Sequence, residues 1–305
     1  MLNLERLLRQ NPDIKHFAWE PSSDYADFHI PLVCKRHGVR VVALLHNLES
    51  LVPGRISARS GRLAPDWFHE EVKLLRECDS VVTISTEEQW LLGLHGISAL
   101  YVPYLPSQRV AEELLGIRKT RQEGLPNGPM FMLGSASNPP TAQGMRRVLD
   151  FVSKVNPSMP LVVAGYGTEL LAGEYHELPK SVSIHGSVAP AELLKMLSTC
   201  RAVLVFQEAS SGALTRLQEM RLAGIPVIGN QVSLRTYGNI RGLHVLTCLE
   251  DLMDLCLDEL EAPQFSEESF MQARMGTIVV VRETLGPDEV SDRVAPRVWS
   301  KGHMQ

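Results

Sequence analysis

Residues 202–230, "AVLVFQEASSGALTRLQEMRLAGIPVIGN", set the architecture of this chain. The two ends of the stretch, 202–206 and 226–230, are short continuous runs rich in Val, Ile and Leu, the pattern of strands buried on both faces. Between them lie a small-residue turn and a short helical segment that Gly224 and Pro226 close. Strand, helix and strand in so few residues make a βαβ unit, and its strands are parallel. Further apolar runs at 14–19, 39–47, 80–85, 99–104, 129–135, 161–167, 182–186 and 243–247 repeat the theme. Candidate helices fall between them at 22–37, 64–78, 86–95, 140–155, 190–199, 212–223 and 248–260. Thr86 with Glu87 and Glu88, and Pro190 with Glu192, supply start signals for two of these. The alternation predicts an α/β chain of two Rossmann-like domains, with parallel sheets and helices on both faces.

A length of 305 residues allows two cores. The polar, basic, Gly- and Pro-rich stretch "GIRKTRQEGLPNGP" (116–129) separates the two strand series and reads as the domain boundary. The expected partition is 1–122, 123–280 and a tail at 281–305 that packs back on the first domain. About four strands precede the boundary, few for a Rossmann-like domain, so something is expected to be missing upstream or to be completed by a protein partner. Hydrophobic residues make up 44% of the chain, charged residues 21%, and the net charge is -5, which gives no general attraction to nucleic acid or anionic membrane. Five scattered cysteines without C-x-x-C spacing suggest neither a disulfide framework nor a zinc site and fit a reducing cytosol. No apolar run approaches the length of a membrane span.

In open parallel sheets, ligands lie beyond the carboxyl ends of the strands, where following helices present their N-terminal amides. The turn at Gly212 sits at such an end: its amides, at 212–215, would favour phosphate oxygens, and Arg216 could add a bidentate charge. Thr215, Arg216 and Glu219 share one helical edge, where a carboxylate could accept both hydroxyls of a ribose. The same spacing also fits an Arg–Glu pair on a solvated face. "FMLGSASNPPTAQG" (131–144) repeats the logic with Gly134 and Ser135, although a strand followed by glycine is common in α/β proteins. His185 ends a strand whose backbone could pair with a base edge, or is a satisfied surface histidine. In the first half, "ALLHNLES" (43–50) ends a buried strand in His46, Asn47 and Glu49, either a reactive group or a hydrogen-bonded histidine. Arg55, Arg59 and Arg62 follow in a loop without acids, suited to a phosphate-bearing acceptor or to solubility. No H-E-x-x-H, G-x-S-x-G, Walker or G-x-G-x-x-G motif is present, which disfavours hydrolase, ATPase and dehydrogenase chemistry.

Taken in order, "HNLES" (46–50), "FHEEVKLLRECDSVVTISTEEQWLL" (68–92), "YVPYLP" (101–106), "FMLGSASNPPTAQGMRRVLDFV" (131–152), "LVVAGYG" (161–167), "VSIHGSV" (182–188) and "SSGALTRLQEMRLAGIPVIGN" (210–230) resemble the group 1 glycosyltransferases. That family has the two-domain GT-B architecture, here with a shortened N-terminal domain. The resemblance implies transfer of a sugar from a nucleotide-diphosphate sugar to a saccharide, lipid-linked or other acceptor, with retention of configuration and without a metal ion. Glu219 matches the carboxylate that holds the ribose, Arg216 a basic residue near the diphosphate, and His46 the histidine near the reacting carbon. Ser211, Gly212, Ala213, Leu214 and Thr215 match the turn under the phosphates and sugar. His185, Gly186 and Val188 match the strand end beside the base, and Gly134, Ser135 and Asn138 a second donor contact.

Two departures bear on activity. Ser211 stands where the first acid of the family's paired-acid pattern lies, and Gln143 where a Lys is expected, leaving Arg216, alone or with Arg146, to supply the charge. The main expectation is therefore a cytoplasmic glycosyltransferase, peripheral at the inner face of a membrane if its acceptor is lipid-linked. The alternative is a catalytically impaired, glycosyltransferase-like binding or regulatory subunit of a complex. An epimerase of the same architecture would interconvert the donor with no acceptor.

Overall fold

The computed structural model describes residues 2–22, 29–124, 126–237 and 240–285. The chain forms two units: the first gathers the residues up to Tyr104, the tripeptide Ser211–Ala213 and the C-terminal helix from Glu268, and the second gathers Leu105–Ser210 and Leu214–Glu267.

The first unit runs α1 (Leu2–Gln10), β1 (His16–Trp19), α2 (Ile30–Arg36), β2 (Arg40–Leu45), α3 (Phe68–Leu75), β3 (Ser80–Thr83), α4 (Thr86–Leu94) and β4 (Ala99–Tyr101). Its sheet has the order β1-β2-β3-β4 and every pair is parallel. Trp19, Val41, Leu45, Leu75, Val81 and Leu92 form its core.

The second unit runs α5 (Gln108–Glu123), β5 (Met130–Leu133), α6 (Pro139–Val155), β6 (Leu161–Ala164), α7 (Thr168–Ala172), β7 (Val182–His185), α8 (Pro190–Thr199), β8 (Val203–Val205), α9 (Thr215–Ala223), β9 (Val227–Asn230), α10 (Gln231–Leu234), β10 (Leu243–Leu246) and α11 (Asp251–Asp254). α12 (Glu267–Leu285) follows and joins the first unit from Glu268. The second sheet has the order β10-β9-β8-β5-β6-β7, all parallel. The chain moves from β5 to β7 on one side, then returns to place β8 on the other side of β5, which makes β5 and β8 the topological switch point. β8 is buried throughout and β5 nearly so, because helices cover both faces, whereas the edge strand β10 is mostly half-exposed. Leu149, Leu161 and Leu204 are at most 1% exposed, and each contributes on the order of 2 kcal/mol by burial.

Each of the ten apolar runs forms a strand. The helices differ more from expectation. Residues 116–129 are no linker: most of the basic stretch belongs to α5, whose Ala111, Leu114 and Ile117 form a buried stripe. The packing divides the chain after Tyr104 instead of at 122/123, because α5 packs on α8 and α9. Residues 248–260 hold only α11 and a 3-10 turn at Leu257–Glu259. α4 is capped by Ser85, whose side chain accepts the Glu88 amide, so Thr86 is the first helical residue. Residues 23–28 of the expected 22–37 helix and 286–305 of the tail lie outside the described residues. Among the described residues no helix is long and apolar enough to cross a membrane.

Candidate functional site

β5, β6 and β7 run at their C-terminal ends into Gly134, Gly165 and Gly186. The Gly134 amide donates to the Ala164 carbonyl and the Gly165 amide to the Gly186 carbonyl, both at 3.1 Å, so the parallel ladder continues past the strands. A Cβ on Gly165, which has φ +136°, would stand 2.0 Å from the Gly134 carbonyl oxygen. On Gly134 it would stand 2.6 Å from Arg216 Nη1, and on Gly186 2.8 Å from Glu169 Oε2. At Gly165 the obstacle is backbone and glycine is required, whereas the side chains of Arg216 and Thr141 pack on Gly134 and that of Glu169 on Gly186, so the three glycines form a closely packed shelf at the carboxyl edge of the sheet. Beside it His185 is exposed, and its carbonyl accepts the Thr168 hydroxyl; Val188 is half-buried in the turn before α8.

Arg216 lies one residue into α9, and its Nη1 donates to the Leu133 carbonyl at the end of β5. Burial pulls its pKa down and the neighbouring Glu219 pulls it up, which places the carboxylate within electrostatic reach of the guanidinium. The structure thus brings Gly134, Arg216 and Glu219 together. α9 has no side-chain cap, and the amides of Leu214, Thr215 and Arg216 meet no acceptor among the described residues. Ser135 closes its own turn: its hydroxyl lies 2.6 Å from Ser137 Oγ and its carbonyl accepts the Asn138 amide at 3.2 Å. The Asn138 side chain is exposed at the N-cap of α6 and makes no capping bond.

At the first unit the pattern reverses. Ser211–Ala213 groups with this unit, and the Gly212 amide donates to Glu88 Oε1 at 2.8 Å. A Cβ on Gly212 would lie 2.4 Å from the His46 carbonyl oxygen. This corrects the expectation that all the amides of 212–215 are open: Gly212 is engaged by a buried acid. Glu88 Oε1 also accepts the Leu48 amide at 2.9 Å. Glu71 accepts the amides of Glu49 (2.9 Å) and Ser50 (3.0 Å) and the Ser50 hydroxyl. Burial pushes the Glu71 carboxyl up to about 7, against the opposing pull of those hydrogen bonds. His46 Nε2 lies 2.9 Å from Glu20 Oε1. Asn47 donates to Glu49 Oε1 at 2.7 Å, and Arg55 pairs with Glu49 Oε2 at 3.1 Å, so the charge of Arg55 is committed within the loop. Arg146 donates through two nitrogens to the exposed Glu174 at 2.7 Å each, and Gln143 donates to Glu208.

Glu20, Glu71, Glu88, Thr141 and Gln207 were given no site role from the sequence. Thr141 Oγ1 and Gln207 Oε1 are buried without a hydrogen-bond partner among the described residues and, with Arg216, line a void of about 10 Å³. A signal existed for three of them. Glu71 with Val72 and Leu75, Glu88 with Leu92, and Thr141 with Met145 and Val148 occupy the apolar faces of their helices, where an unpaired polar group is costly.

The sequence matches no protein-family model and no curated protein. Solved structures do match. HepE of Anabaena, solved in complex with UDP and glucose, aligns over 92% of this chain and 76% of its own, with a TM-score of 0.60 and 13% identity. A glycosyltransferase from Rickettsia africae aligns over 93% and 80% (TM-score 0.59, 12% identity). Sucrose-phosphate synthase from Thermosynechococcus elongatus aligns over 93% and 80% (TM-score 0.57, 14% identity). With two all-parallel α/β units and alignment over more than nine-tenths of its length to these proteins, this chain has the fold of the GT-B glycosyltransferases.

Proposed function

We propose that this chain binds a nucleotide-diphosphate sugar at the carboxyl edge of its second sheet and transfers the sugar, with retention of configuration, to an acceptor. One observation carries the reading: α9 begins with amides that meet no acceptor among the described residues, and its buried Arg216 guanidinium lies against Gly134, the glycine that ends β5 at the switch point. Amides and a guanidinium together stabilise a diphosphate and the charge that develops on it as a leaving group. Glu219 holds the ribose hydroxyls, and His185, Gly186 and Val188 flank the base. In retaining transfer the departing phosphate takes the acceptor proton on the face it leaves. His46, oriented by Glu20, serves the reacting sugar. Arg216 and the α9 amides meet the diphosphate charge, so the reading calls for no metal ion. That HepE was crystallised with UDP and with UDP-glucose supports a uridine donor as the first to test.

A second reading, a binding subunit on the same scaffold, is favoured by Ser211 in place of an acid and by the engagement of Gly212 and Arg146. One experiment separates the two. UDP or GDP should raise the melting temperature of the wild type, and Glu219→Ala should weaken binding about tenfold to hundredfold through loss of a charged hydrogen bond. A panel of nucleotide-sugars then reports turnover. Binding without transfer or hydrolysis selects the subunit, and no nucleotide-dependent shift in the wild type overturns both.

A further inference from the structure

A second cationic site lies at the opposite edge of the second sheet. Arg201 and Pro226 stand just before β8 and β9, and with Arg118, Arg121, Gln122 and Asp258 they line a cavity of about 310 Å³. That volume is at the lower end of the range of small-ligand pockets.

Arg118 and Arg121, on α5, cap two helices from the side. Arg118 donates to the carbonyls of Leu222 (2.9 Å) and Arg221 at the end of α9, and to Pro263 (3.1 Å). Arg121 donates to the carbonyls of Leu197 (3.2 Å) and Cys200 at the end of α8, and to Gly224 (3.2 Å). These are the orphan carbonyls that end a helix, and cations there are favourable. Carbonyls use the donors without cancelling the charge. Neither Arg118 nor Arg121 has a carboxylate partner among the described residues, and burial pulls both guanidinium pKa values down. Arg201 adds a third charge. Its Nε is buried without an acceptor among the described residues, and its ion pair is a 3.4 Å contact from Nη1 to the exposed Asp258. The two helix ends supply on the order of half a negative charge each and Asp258 one more, which leaves the three guanidiniums in excess by about one.

We propose that this cavity binds a small oxyanion of the phosphate or carboxylate class, with the part-exposed guanidinium of Arg201 as donor and Arg118 and Arg121 as its charge field. Such a ligand would tie α5 to the ends of α8 and α9 and would not occupy the glycine shelf. Titrating the whole protein with inorganic pyrophosphate, and separately with citrate, tests this by calorimetry and identifies the class. At least one should bind saturably in the millimolar range or below. Arg201→Gln, which keeps the α5 clamps, should weaken that binding about tenfold. Asp258→Asn, which removes the only acid among the described lining residues, should tighten it about threefold, a gain that misfolding cannot imitate. If neither anion binds saturably, or if binding is indifferent to both substitutions, the site does not exist.

Discussion

The carboxyl edges of the two sheets are built on opposite principles. In the first unit, Glu71 and Glu88 point inward and accept the backbone amides of Leu48, Glu49, Ser50 and Gly212. In the second, glycines bring the strand ends into close contact, a guanidinium is buried, and the amides of Leu214–Arg216 meet no acceptor among the described residues. Buried or focused donors in proteins find partners. One edge finds them in its own carboxylates, and on the proposed function the other receives them from the donor's diphosphate. The contrast distinguishes a rigid, self-satisfied loop from a ligand site more sharply than a roll of polar residues could.

Gly165→Ala should damage the shelf most, since its Cβ would meet the Gly134 carbonyl at 2.0 Å on a backbone at φ +136°. The expected loss is about 5 kcal/mol or more, read by denaturant unfolding. Gly61→Ala in the first unit, at φ +69° with open space around it, should cost only about 1 kcal/mol. If the two losses are equal, the shelf is not closely packed. Glu88→Ala would orphan the amides of Leu48 and Gly212 and should cost about 4 kcal/mol; a loss below 1 kcal/mol would mean that those amides reach water.

Glu71 makes the first edge sensitive to pH. Its unfolded carboxyl releases its proton near 4.5, whereas the native one holds it to about 7. Between those values the native state binds more protons, so stability falls as pH rises and levels off above 7. The fall should be on the order of 3 kcal/mol and be absent in Glu71→Gln; parallel stability profiles for the two proteins would refute it. The smallest effect is expected at the exposed His46–Glu20 pair. Glu20→Gln should change stability by less than about 0.5 kcal/mol while lowering transfer through a disoriented His46. Unchanged transfer kinetics would remove His46 from the site.

All ten strands were legible because buried parallel strands are continuous runs of Val, Ile and Leu, as in β8 and β9. α5 was not, since Gly116 and a run of basic residues imitate a linker; the arginines that made it look solvated are held by carbonyls more than seventy residues away in sequence. At the site, Gly134, Arg216 and Glu219 could be grouped from spacing at strand ends, because topology sends every carboxyl end to one edge. Gly212 could not be read correctly. Its partner, Glu88, occupies the S-x-x-E spacing that normally closes a capping box, and only the fold shows that its carboxylate turns to Leu48 and Gly212 instead.

The difference between the two edges can be read amide by amide, in NMR spectra of the full chain titrated with UDP. The amides of Leu214, Thr215 and Arg216 should shift and gain protection from exchange, while those of Leu48 and Gly212, held by Glu88, stay where they are. If UDP leaves 214–216 unperturbed, or moves Leu48 and Gly212 instead, the second sheet's edge is not the donor site.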